Sequence, residues 1–102
     1  MIHPTFKPYL PQVIELLRKH EIKSAYFFGS VLTDSFNENS DVDFLVNLKD
    51  NLDPVVAGEH LWDLTFELED LLCRNVDLLT ERALKNPYFI MEINETKFPI
   101  YE

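Results

Sequence analysis

The sequence predicts an α/β (α+β) fold: a small mixed β-sheet with helices on one face. Apolar residues recur at helical spacing over Leu10, Val13, Ile14 and Leu17, and again over Leu61, Leu64, Leu68, Leu71 and Leu72, with Thr65 on the same face. Short β-branched and aromatic runs, residues 22–28, 41–47 and 76–80, alternate with those helical stretches. The length of 102 residues fits one domain, 1–102, and its 46% apolar content can fill a core without disulfides or a structural metal.

Each element follows from local chemistry. The first helix is expected to begin near Pro8 or Pro11, where proline is tolerated in a first turn, and to fade around His20. IKSAYFF, residues 22–28, reads as a strand. In the polar segment GSVLTDSFNENS, Val31 and Leu32 mark a short helix at its start, and Asp34, Asn37, Glu38 and Asn39 have the chemistry of turns and caps. DVDFLVN, residues 41–47, alternates as a second strand. Asp53 before Pro54 reads as an N-cap followed by an N1 proline, opening the long helix. VDLLT forms a third strand, followed by a helical turn from Glu81, a weak helix over residues 86–94 and an extended tail at Phe98 to Tyr101. A strand–helix–strand passage implies a right-handed crossover, which makes the second and third strands parallel and leaves the other sheet face partly open.

Eighteen acidic against nine basic residues give a net charge of −9. With no Lys/Arg cluster, binding to nucleic-acid phosphates is not expected, so a direct DNA interaction is set aside. The acidity is accounted for by solubility, or by a basic protein partner whose approach it would steer. The single Cys73 cannot pair within the chain, which fits a reducing compartment, and its apolar helical surroundings suggest a small core residue. MIHPTFKPYLPQ carries three prolines and no signal-peptide run, and no stretch is long enough to span a membrane. A soluble, cytoplasmic protein is therefore expected, with an oligomer left open. Trp62, Tyr88 and Phe89 are read equally well as core or as partner surface.

Three places carry chemistry. Gly29-Ser30 directly follows the first strand; glycine permits close approach to the main chain, and a helix starting there would favour an anion such as phosphate. Taken alone, the pair also reads as a plain turn. Asp41 and Asp43 are two apart on a strand, so both carboxylates project to one face while Val42, Phe44 and Val46 point to the other. Held together, like charges raise one another's pKa unless a cation sits between them, and hard oxygen ligands suit Mg²⁺. Taken alone, the pair is equally a turn end and a solvated residue. Asp77, in VDLL, would join them on the open face if its strand is adjacent. Three converging acids favour a metal site over solvation, since Asp is depleted in strands.

The run Gly29-Ser30, ten residues, then Asp41-Val42-Asp43, flanked by Tyr26, Phe27 and Phe28 before and Phe44, Leu45 and Val46 after, resembles the signature of minimal nucleotidyltransferases of the DNA polymerase β superfamily. Asp77 falls where such families carry a third carboxylate. The resemblance spans about residues 10–82. It implies a polymerase β-like palm and transfer of a nucleoside monophosphate from a triphosphate such as ATP. It further implies Gly29 and Ser30 as the triphosphate-binding pair and Asp41, Asp43 and Asp77 as catalytic ligands of two Mg²⁺ ions, with Asp77 also helping to activate the acceptor hydroxyl. Where many members carry an arginine soon after the Gly-Ser pair, this chain has Val31, Leu32 and Thr33, leaving Arg74, Arg82 or Lys85 as substitutes. Stand-alone domains of this kind resemble the antitoxin half of HEPN/nucleotidyltransferase toxin–antitoxin pairs. That implies AMP transfer onto a tyrosine of a HEPN ribonuclease toxin; the alternatives are neutralisation by binding alone, or an enzyme acting on a small molecule or RNA.

Overall fold

The computed structural model describes residues 4–32, 37 and 39–102, with the side chains of Pro4, Thr5, Ser30 and Val31 outside that description. A 3-10 turn, Pro4–Tyr9, leads into α1, Leu10–Lys19. Then come β1 (Ile22–Phe28), a 3-10 turn (Gly29–Leu32), β2 (Val42–Leu48), α2 (Pro54–Leu72) and β3 (Val76–Thr80). A 3-10 turn at Glu81–Ala83, α3 (Pro87–Thr96) and β4 (Phe98–Tyr101) complete the chain.

The four strands lie in the order β3-β2-β1-β4. β2 and β3 are parallel, as the crossover through α2 requires, while β1 pairs antiparallel with both β2 and β4. The extended tail is thus a sheet edge. β2 begins at Val42, one residue later than the alternation suggested, so Asp41 stands just outside the strand.

Local chemistry sets the helix ends. Asp53 accepts a hydrogen bond from the Val55 N–H at 2.8 Å, the N-cap expected before Pro54. Asn86 caps α3 in the same way, accepting from the Tyr88 and Phe89 N–H groups. α2 ends at Cys73, which takes the left-handed conformation (φ 56°) while its N–H donates to the Glu69 carbonyl. Cys73 is therefore an exposed helix terminator and not a core residue. A helix end needs a residue that can reverse the backbone, and that need overrides the preference of cysteine for the interior.

Alternation along the strands divides the sheet into two faces. Ile22, Ala25 and Phe27 of β1 and Val42, Phe44 and Val46 of β2 meet Val13 and Leu17 of α1 and Leu64, Leu68 and Leu72 of α2 in the main core. Burying each such aliphatic or aromatic side chain contributes about 1.5–3 kcal/mol before the entropy of ordering is subtracted. On the opposite face, Phe28 and Leu45 pack with Ile93 of α3, flanked by Tyr26, Leu79 and Leu84. α1 and α2 cover one face, and α3 covers part of the other. No helix among the described residues is long and apolar enough to cross a membrane.

Candidate active site

The partly open face is built row by row from strand register. Leu45 lies between Tyr26 and Leu79, giving an apolar row that Ile93 helps to cover. The next row toward the strand ends is Phe28, Asp43 and Asp77: Phe28 pairs with Asp43, and Asp43 with Asp77. Val42 and Val76, buried on the other face, fix that orientation, because a one-residue slip of either strand would put a carboxylate into the core. Sequence alternation placed Asp43 and Asp77 together, and the register makes them direct neighbours.

Asp43 is half-buried, and its carboxyl is pushed up to about 6. Loss of solvent is the largest cause, followed by repulsion from Asp77, a hydrogen bond shared with the Asp77 carboxyl, and repulsion from Asp41. Asp77 and Asp41 are exposed. Asp41 is felt at Asp43 by charge, yet the three do not close into a cage. Among the described residues no group of three His, Cys, Asp or Glu side chains stands close enough to hold a metal. The reason is local: β2 starts only at Val42, so strand geometry does not aim the Asp41 carboxylate along the direction of Asp43.

Gly29 closes the site from the end of β1. It adopts φ +76°, and a Cβ there would lie 2.5 Å from Asp43 Oδ2. The glycine lets the turn after β1 lie against the carboxylate, leaving main chain rather than side chain beside it. Ser30 follows in the same 3-10 turn, Gly29–Leu32, but its side chain lies outside the described residues, as do Asp34 and Glu38.

Asp41 owes its place to a residue that sequence reasoning assigned differently. Arg74 Nη1 donates to the carbonyls of Asn37 at 3.0 Å and Ser40 at 2.9 Å, and its guanidinium lies 5.3 Å from the Phe6 ring centre. The Val42 N–H donates to the carbonyl of the next residue, Asn75, at 3.1 Å. Asn37 behaves as the expected turn former, its Oδ1 accepting from the Asn39 N–H at 2.8 Å. Arg74 therefore clamps the approach to β2. No local sequence signal shows this, because donor and acceptors lie 34 and 37 residues apart. Arg82 lines a separate cleft of about 860 Å³ with Lys23, Asn47 and Lys49, at the opposite end of β1 and β2 from the carboxylates. Phe89, which the sequence left between core and surface, contacts Phe28 edge-on at 6.3 Å, beside the acidic row. Trp62 and Tyr88 are exposed.

The donor set fits a divalent cation. Two hard carboxylates are held together against their own repulsion, and the missing side chain of Gly29 keeps Asp43 Oδ2 accessible. Mg²⁺ commonly takes one or two carboxylates and completes its shell with water and substrate phosphates, so a two-carboxylate core is sufficient. Among described residues, Asp43 and Asp77 would hold it most directly, with Asp41 adding charge.

In sequence and fold the chain is similar to known proteins. A family model described as "Polymerase beta, Nucleotidyltransferase" matches residues 11–102. The chain is 35% identical over 94 residues to "Putative protein adenylyltransferase MJ1379" of Methanocaldococcus jannaschii, covering 84% of this chain and 92% of that protein. Its fold is similar to that of a "putative minimal nucleotidyltransferase" with a TM-score of 0.77 at 27% identity, covering 97% of this chain and 96% of that one. A toxin–antitoxin structure with AMP-PNP matches with a TM-score of 0.70 at 26% identity, over 90% of this chain and 72% of that chain. The match runs from α1 through β4 and includes the whole sheet that carries the acidic row: the chain belongs to the polymerase beta nucleotidyltransferase family.

Proposed function

We propose that this chain is a Mg²⁺-dependent protein adenylyltransferase that moves AMP from ATP to a hydroxyl of a protein partner, a tyrosine of a HEPN-type toxin, and so acts as an antitoxin. The observation that carries the reading is the pairing of Asp43 with Asp77 on one sheet face, with Gly29 against the Asp43 carboxylate. Similarity to a "Putative protein adenylyltransferase" and to a toxin–antitoxin structure with AMP-PNP supports the substrate and partner classes.

In this reading the turn at Gly29 and Ser30 would receive the triphosphate; Asp43 and Asp77 would hold magnesium directly, and the Asp41 carboxylate would join them only when the substrate phosphates complete the shell of a second ion. Bound magnesium supplies charge neutralisation for the triphosphate and the departing pyrophosphate. Asp77, exposed at the edge of the acidic row, takes the proton of the acceptor hydroxyl. The acceptor oxygen forms a bond to the α-phosphorus as the bond to the bridging α,β-oxygen breaks, and pyrophosphate leaves. Phe28 and Phe89 exclude water on one side of that row.

One observation favours the alternative, an antitoxin that neutralises by binding alone. Of the three basic residues that could replace the family's arginine, Arg74 is committed to the Asn37 and Ser40 carbonyls and Arg82 lines the far cleft, which leaves only the exposed Lys85. Intact-mass measurement of a HEPN partner co-produced with this chain separates the two readings. Whole AMP units added with the wild type, and none with Asp41→Asn/Asp43→Asn, are expected. A tight complex with unmodified partner in both cases would overturn the transferase reading.

A further inference from the structure

α2 is apolar on two opposite faces. Leu64, Leu68 and Leu72 are buried against the sheet. Val55, Trp62 and Phe66 point the other way and are 69%, 68% and 50% exposed, with Trp62 and Phe66 in edge-on contact at 5.4 Å. Spacings of seven and four residues place the three on one outward stripe, roughly 16 Å long at 1.5 Å per residue. A helix that is apolar on both sides is ordinarily buried on both. Packing within the chain accounts for one side only.

The stripe has a charged border. Glu59, Asp63 and Asp70 lie beside it on the same helix, all exposed, and none takes part in the ion pairs formed among the described residues. The net charge of the chain is −9. A second copy laid on the stripe would bring these carboxylates against their own counterparts. An amphipathic helix with an apolar ridge bordered by Lys or Arg meets both the aromatic stripe and the unneutralised acids.

We propose that the outer face of α2, Val55, Trp62 and Phe66 bordered by Glu59, Asp63 and Asp70, is the docking surface for a basic amphipathic helix of the protein partner. This rests on the proposed function for the identity of that partner. The surface lies on the helix layer, across the sheet from the Asp43–Asp77 row. A partner held there does not occupy the carboxylate site of the same chain, so holding and modifying the partner are separable.

Trp62 is the only tryptophan, so 5-fluorotryptophan labelling gives one ¹⁹F resonance located in the stripe. The test titrates the purified HEPN partner into labelled wild type, and measures its affinity for wild type, Asp43→Asn and Trp62→Glu/Phe66→Glu. Expected are a shifted resonance, salt-weakened binding, unchanged affinity for Asp43→Asn, and affinity about 30-fold lower or worse for the double variant. The double variant adds two negative charges, so attachment by charge alone would strengthen instead, and that result overturns the proposal. Circular dichroism of the double variant should match wild type, since both positions are exposed. Wild-type binding with an unmoved resonance and an unaffected double variant sinks the surface while leaving the proposed function standing. A wild type that neither binds nor modifies the HEPN partner removes both. Self-association of wild type alone, abolished by the double variant, would replace the basic partner with a second copy.

Discussion

Gly29 and Asp43 are in such close approach that a single added methyl group would lie 2.5 Å from Asp43 Oδ2. The glycine also sits at φ +76°, where any side chain is strained. Gly29→Ala should therefore lose about 1–2 kcal/mol of stability, equivalent to roughly 5–10 °C in Tm. It should also weaken nucleotide binding by moving the carboxylate. Thermal unfolding with and without ATP and Mg²⁺ checks both effects, and wild-type values in both would show that the close approach is not required.

Asp43 makes stability depend on pH. Its carboxyl is pushed up to about 6 in the folded chain, against about 3.9 when unfolded. The folded state thus holds the proton more tightly, and that stabilisation is full below about pH 4 and lost as pH rises through 6. Solvent screening at this half-buried site leaves an effect on the order of 1 kcal/mol. In EDTA, Asp43→Asn should melt above wild type at pH 7.5, with the difference disappearing near pH 4. Mg²⁺ should raise the wild-type Tm and leave that of the variant unchanged. A wild-type Tm insensitive to Mg²⁺ would argue against a cation between Asp43 and Asp77.

Arg74 couples the end of α2 to the approach to β2 through the Asn37 and Ser40 carbonyls. Arg74→Lys keeps a donor nitrogen but loses the planar guanidinium that delivers both bonds from Nη1 while lying near Phe6. A loss of about 1–3 kcal/mol is expected, together with slower AMP transfer because Asp41 is no longer fixed. Urea unfolding and single-turnover transfer measure the two consequences. An unaltered rate would show that Arg74 serves stability alone.

Cys73 ends α2 with φ 56° and an exposed thiol. Cys73→Gly should stabilise the fold by about 0.5–1 kcal/mol, because glycine reaches that conformation without strain. Asp53→Ala, at the other end of the same helix, should destabilise it by about 0.5–2 kcal/mol through loss of the cap on the Val55 N–H. Chemical denaturation of both variants tests the two ends independently.

Local chemistry made much of this protein readable in advance. Period and capping located α1, α2 and three strands, because an apolar stripe at 3.6 or 2 residues and an Asp-Pro start act within a few residues. Alternation assigned Asp43 and Asp77 to the face opposite Val42 and Val76, since a strand has only two sides. The resemblance carried by Gly29-Ser30 and Asp41-Val42-Asp43 pointed to the family that the comparisons then identified. Tertiary structure decided what depends on distant partners. Arg74 became a clamp because the fold brings it to carbonyls 34 and 37 residues away. Cys73 left the core because the helix had to end there, and Asp41 fell just outside the strand. The tail became β4 because the open edge of β1 supplied the hydrogen bonds that it cannot make by itself. Trp62 and Phe66 stayed outside because the sheet had already taken the other side of α2, and periodicity marks a face as apolar without saying what covers it.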